Sequence, residues 1–122
     1  MFGLALPETG SITLFSGVAA DRPGPGTVAV TAVNAAIEGL SRSLAVELAP
    51  VRVNAVSPGV VDTEGWAHLG DGAADFFEET GRSLPAGRVG RPADIGSTVL
   101  HLIDNGYTTA STVHVDGGAR LV

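Results

Sequence analysis

The feature that most limits this fold is a change of hydrophobic period at Pro50. From about Val28 to Leu48, the residues Val33, Ile37, Leu40, Leu44 and Leu48 recur at steps of three and four, one face of a helix. Ala29, Ala32, Ala35 and Ala36 beside that stripe would let another element approach closely. Pro50 ends the pattern, because the residue before a proline is pushed out of helical geometry. Val51-Arg52-Val53-Asn54-Ala55-Val56-Ser57 then alternates, or nearly so, up to the Pro58-Gly59 break, and reads as a strand. A β-rich run, Ser11-Ile12-Thr13-Leu14-Phe15, precedes the helix and ends at Ser16-Gly17; a loop follows at Asp21–Gly26. Two strands joined through a helix make a right-handed crossover, hence a parallel sheet.

The rest extends that unit. Residues 1–10 read as the tail of a helix and a turn. Residues 60–90 are irregular, with room for one or two short helices between Glu64 and Thr80 anchored by Trp66, Leu69, Phe76 and Phe77. Arg91-Pro92-Ala93-Asp94 starts another helix, with proline near its first position and an acid in its first turn. It is expected to run to Asp104, to bury Ile95, Val99, Leu102 and Ile103, and to stop at Asn105-Gly106. Thr112–Val115 is a third strand, closed by Asp116-Gly117-Gly118. The expectation is one α/β domain over residues 1–122, a short parallel sheet of about three strands flanked by helices.

Composition narrows the chemistry. Hydrophobic residues at 44% and charged residues at 16% suit a packed domain. The net charge of −6, with no basic run, makes nucleic acid and anionic membrane poor partners. Cysteine is absent, which removes thiolate catalysis and Cys-type zinc sites. The basic residues are all arginine; there is no lysine. The amino-terminal run lacks the basic flank of a signal peptide, and no apolar run has membrane-spanning length, so a cytoplasmic protein is expected.

Four segments carry a resemblance. Asn34-Ala35-Ala36-Ile37-Glu38-Gly39-Leu40 through Pro50 resembles the long catalytic helix of short-chain dehydrogenases/reductases. Val51–Ser57 with Pro58-Gly59-Val60-Val61-Asp62-Thr63 is similar to that family's next strand and Pro-Gly turn. Gly90-Arg91-Pro92-Ala93-Asp94-Ile95 and Val113-His114-Val115-Asp116-Gly117-Gly118 look like its last helix start and last strand. The resemblance implies a partial Rossmann-like three-layer fold that binds NAD or NADP at the carboxyl edge of its sheet. It also implies that the family's first four strands, with the Thr-Gly-x-x-x-Gly-x-Gly turn that holds the pyrophosphate, are missing from this sequence. Gly24-Pro25-Gly26 is no substitute, since it follows a loop and proline lacks an N–H.

The family's proton-transferring tyrosine and its lysine four residues later align with Val30 and Asn34, and its serine aligns with Gly17, next to Ser16. The single tyrosine, Tyr107, lies far along the chain. Ser16 could polarise a substrate carbonyl, or merely satisfy its own turn. Asn34 could donate a hydrogen bond where lysine stands in the family, or play a helix-surface part. If a cofactor binds, Pro58, Gly59, Val60, Val61 and Thr63 are the expected contacts, against the nicotinamide carboxamide and phosphates; otherwise they form a structural turn. Glu64, Trp66 and His68 fall in the family's substrate lid, where Trp66 is expected to anchor the lid or line an apolar pocket. His68, His101 and His114 lack metal-ligand spacing, so no metal is expected. Asp62 with Glu64, and Glu78 with Glu79, read as solvated charges.

Without its tyrosine, its lysine and the glycine-rich turn, the isolated chain is expected to bind no cofactor, NADP being expected only if the missing half is supplied, and not to be self-sufficient in hydride transfer; it would be a pseudoenzyme, a binding subunit, or a protein with a non-redox step on a small organic molecule. The alternative is an NADP-dependent carbonyl or alcohol oxidoreductase, with this chain a fragment or one subunit. Either way the open edge of the first strand and the apolar helix face call for cover. The expected partner is a second copy, as a dimer or higher oligomer, or a chain carrying the missing half.

Overall fold

The computed structural model describes residues 7–122. Strand β1 spans Ser11–Phe15, helix α1 Val28–Glu47, strand β2 Arg52–Pro58, helix α2 Ala73–Ser83, helix α3 Pro92–Asp104 and strand β3 Thr112–Val115. Short 3-10 segments lie at Val18–Ala20, Glu64–Gly72 and Ala119–Leu121. The sheet is parallel, in the order β1-β2-β3, with Phe15 opposite Val56 and Ser57 opposite His114. This is the expected α/β arrangement of a short parallel sheet with flanking helices. The proposed helix tail lies in part at residues 1–6, outside the described residues; Pro7 and Gly10 close the expected turn, the Gly10 N–H donating to the Pro7 carbonyl (2.8 Å).

Strand β2 is the core, with every residue from Val51 to Ser57 buried. Its side chains alternate in kind because its two faces meet different neighbours. Val53 and Ala55 face α1; each fully buried valine contributes about 1.5–3 kcal/mol of transfer free energy. Arg52 and Asn54 face the other way and satisfy backbone groups there. The Arg52 guanidinium donates to the carbonyls of Leu102 (2.6 Å), Ile103 (2.8 Å) and Thr108 (3.2 Å), which ends α3 on a cation. Asn54 holds the next turn, donating to the Thr108 carbonyl and accepting from the Ser111 N–H.

Two burial expectations are corrected. On α1 the fully buried residues are Ser41 and Ala45, whereas Val33 is 57% and Leu40 48% exposed; Ile37, Leu44 and Leu48 are half-buried. Small side chains let α1 lie close on β2, and the buried Ser41 hydroxyl donates to the Glu38 carbonyl one turn back (2.9 Å). The helix is apolar on more than one side, so its period alone does not reveal which side meets the sheet. On α3, Leu102 is buried but Ile103 is 51% exposed. Consecutive helical residues point about 100° apart, so both cannot face the sheet. Among the described residues no helix is long and apolar enough to cross a membrane.

Candidate functional site

In a parallel α/β sheet the ends of the strands at their carboxyl edge are where ligands gather. Here that edge consists of Ser16-Gly17 after β1, Pro58–Thr63 at and beyond the end of β2, and Asp116–Gly118 after β3. The last two are packed tightly. A Cβ on Gly59 would fall 2.8 Å from Asp116 Cα, so only glycine lets the β2 turn pass over the end of β3. The Gly59 N–H donates to the Val115 carbonyl (3.0 Å). Burial pushes the Asp116 carboxyl up, but the N–H groups of Gly118 and Arg120 and the Arg120 guanidinium outweigh it and hold the group below its ordinary range.

The turn after β2 continues into a one-residue bridge between Val61 and Gly90. Gly90 donates to the Val60 carbonyl (2.9 Å) and accepts from the Asp62 N–H (2.9 Å), while the Trp66 indole N–H donates to the Val61 carbonyl (3.0 Å). Those groups are therefore committed within the protein. The N–H groups of Val60 and Val61 have no hydrogen-bond partner among the described residues. Pro58, Gly59, Val61 and Thr63 line an open cleft of about 410 Å³ together with Trp66, Pro92 and Ile95. Val60 is not among its lining residues. The Thr63 oxygen caps the next turn by accepting from the Gly65 N–H (3.3 Å), which leaves its hydroxyl proton free.

Trp66 anchors the segment over this cleft, its ring centroid 4.9 Å from that of Phe76 and 6.4 Å from that of Phe77. It packs on α2 and also forms part of the cleft lining. His68 and Glu64 are exposed, as are Asp62, Glu78 and Glu79; Glu78 pairs with Arg82 on the surface of α2. No group of three or more metal-ligating side chains occurs among the described residues.

The other candidates converge on the end of β1. Ser16 donates its hydroxyl proton to Glu38 Oε1 (2.9 Å), since a carboxylate only accepts. That proton is spoken for, which argues against Ser16 polarising a substrate carbonyl. Asn34, one helical turn before Glu38, lies against Gly17: a Cβ there would fall 2.9 Å from Asn34 Nδ2. The Asn34 amide makes no hydrogen bond to any described side chain or backbone group. Val30 is 47% exposed and carries nothing that ionises. The sequence does not single out Glu38, because only the fold brings it to Ser16; its spacing of one helical turn from Asn34 is the signal it carries.

Comparison with known proteins gives a consistent result. Residues 3–120 match the family described as enoyl-(acyl carrier protein) reductase. The chain is 37% identical over 120 residues to the granaticin polyketide synthase putative ketoacyl reductase 2 of Streptomyces violaceoruber, covering 98% of this chain and 48% of that protein. A solved small-chain dehydrogenase in complex with NADPH superposes with a TM-score of 0.92 at 42% identity, over 96% of this chain and 54% of that one. An NADPH-bound short chain oxidoreductase of Pseudomonas aeruginosa PAO1, described as containing an atypical catalytic center, gives a TM-score of 0.83 at 32% identity over 92% of this chain and 46% of that one. The chain thus spans about half the length of the curated relatives it matches. Its Pro-Gly turn, its long helix and its closing strand stand where the resemblance placed them, and the chain belongs to the short-chain dehydrogenase/reductase family.

Proposed function

We propose that this chain forms the nicotinamide- and substrate-facing part of an NADP-dependent oxidoreductase that interconverts a carbonyl and an alcohol. The groups that hold the pyrophosphate belong to chain outside this sequence or to a partner subunit. The observation that carries the reading is the pair of free N–H groups at Val60 and Val61 beside a cleft lined by Pro58, Gly59, Val61 and Thr63. Two adjacent donors fit a carboxamide oxygen, and Thr63 adds a hydroxyl donor at the rim. The NADPH-bound relatives support the same reading.

When bound, the cofactor supplies the hydride. This chain's residues bind and orient. Val60 and Val61 fix the carboxamide, Trp66 with Phe76 and Phe77 excludes water, and Asn34 Nδ2 donates to an oxygen over Gly17. Asn34 has no ionisable proton and Val30 none at all, so the proton needed for reduction comes from neither position. A cytoplasmic location and a dimer or larger assembly belong to this reading.

A second reading is favoured by those same substitutions: a subunit that binds a small organic molecule without turnover of its own. Titration of NADPH against the purified chain by fluorescence or calorimetry separates the two. Saturable micromolar binding that weakens severalfold in Thr63→Val, with the fold retained by circular dichroism, is the expected result. A folded chain that never saturates would leave the second reading standing.

A further inference from the structure

A row of polar side chains crosses the carboxyl ends of all three strands. The β2–β3 register sets Ser57 beside His114. The Ser16 N–H donates to the Val56 carbonyl (2.9 Å), which carries the β1 ladder one step further and sets Ser16 beside Ser57. Residues in register on parallel strands face the same side of the sheet. That side is the one under α1, because Ser16 reaches Glu38 there while Arg52 and Asn54 reach the opposite side.

Two members of the row carry buried polar atoms with no hydrogen-bond partner among the described residues, Ser57 Oγ and His114 Nδ1. Ser57 is 0% exposed. A third polar atom stands close: Asp21 Oδ2 lies 3.5 Å from His114 Nδ1, an ion-pair neighbour but too far for a good hydrogen bond. Buried polar groups left unmatched are costly, and a single small hydrogen-bonding molecule with several partners is the usual remedy. Ser57 and His114 are paired on neighbouring strands and face the same side, so their side chains border one space.

We propose that Ser57, His114 and Asp21 form a binding site for one water molecule. The hydrogen inventory closes: the Ser57 hydroxyl donates to the water, and the water donates to His114 Nδ1 and to the Asp21 carboxylate. Neutral His114 then carries its proton on Nε2. The site is a positioning device. It ties Asp21, in the connection between β1 and α1, to β2 and β3, and so holds the Ser16-Gly17 turn against which Asn34 rests. The Arg22 guanidinium makes a second tie from the same connection by donating to the Ala119 carbonyl (3.1 Å). None of this depends on which reading of the reaction holds.

A crystal structure at a resolution that places waters should show a density peak within hydrogen-bond distance of Ser57 Oγ, His114 Nδ1 and Asp21 Oδ2. Imidazole 15N shifts recorded well above the histidine range, at about pH 8.5, should place the His114 proton on Nε2. Ser57→Ala should shift those resonances while leaving the fold intact. A dry site with Ser57 bonded to a backbone carbonyl would overturn the proposal. So would a proton on Nδ1 donated straight to Asp21, or His114 resonances unmoved by Ser57→Ala.

Discussion

The Asn34 carboxamide occupies the space into which a side chain at Gly17 would project, with Nδ2 2.9 Å from the position of the missing Cβ. The two residues are one packing unit, contributed by the turn after β1 and by α1. The Ser16–Glu38 hydrogen bond clamps the same two elements one helical turn away.

Restoring a side chain at position 17 is therefore expected to be harmful alone and tolerable in combination. Gly17→Ala should cost about 1 kcal/mol, the low end of the overpacking range because the atom it meets is the tip of a side chain, read from urea denaturation. The same substitution in an Asn34→Ala background should cost clearly less, so that the double-mutant cycle returns a coupling of about 1 kcal/mol. Additive effects would mean that the amide turns aside freely.

Arg52 holds the carbonyl end of α3 through three hydrogen bonds from a site 9% exposed. Replacing it with methionine keeps most of the volume and leaves those carbonyls unmatched. A loss of about 3 kcal/mol is expected, with faster amide exchange concentrated in the last turn of α3. Arg52→Lys should recover only part of it, because an ammonium cannot fork across two carbonyls.

Acid should loosen the start of α3. The Arg88 side chain and then the Arg91 N–H hold the Asp94 carboxyl down at about 2, against an ordinary 3.8. A group depressed on folding stabilises the fold above its unfolded value, and this contribution is lost as pH falls from about 4 through about 2. Asp116 is shifted in the same direction. The melting temperature should thus fall over that window, and the fall should be shallower in Asp94→Asn. An identical profile in the variant would show that the surface pair with Arg88 is fully screened by solvent.

One face of α1 leaves Val33 57% and Leu40 48% exposed, and β1 is a sheet edge among the described residues. Sedimentation at micromolar concentration is expected to show a dimer or larger species. Val33→Asp with Leu40→Glu should shift it toward monomer without loss of helix. A monomeric parent chain would count against this assembly.

Much of the fold is legible in the sequence. Ser11–Phe15 and Thr112–Val115 are strands as read, and α1 stops just before Pro50, because local period, proline and glycine act over a few residues and need no partner. The Pro58–Thr63 turn and the Trp66 lid followed from family-like spacing. What escaped was every relationship across the sheet. Ser16 with Glu38, Gly17 with Asn34, and Ser57 with His114 are separated in sequence and meet only when β1, β2 and β3 take one register under α1.

The sequence alone therefore determined the elements, their order and the parallel hand of the sheet, since these follow from short-range backbone preferences and one crossover rule. Only the tertiary structure decided which face of α1 is buried, which N–H groups of the Val60-Val61 turn stay free, and that the Ser16 proton goes to Glu38. Those outcomes depend on distances between residues far apart in the chain, and no periodicity encodes a distance.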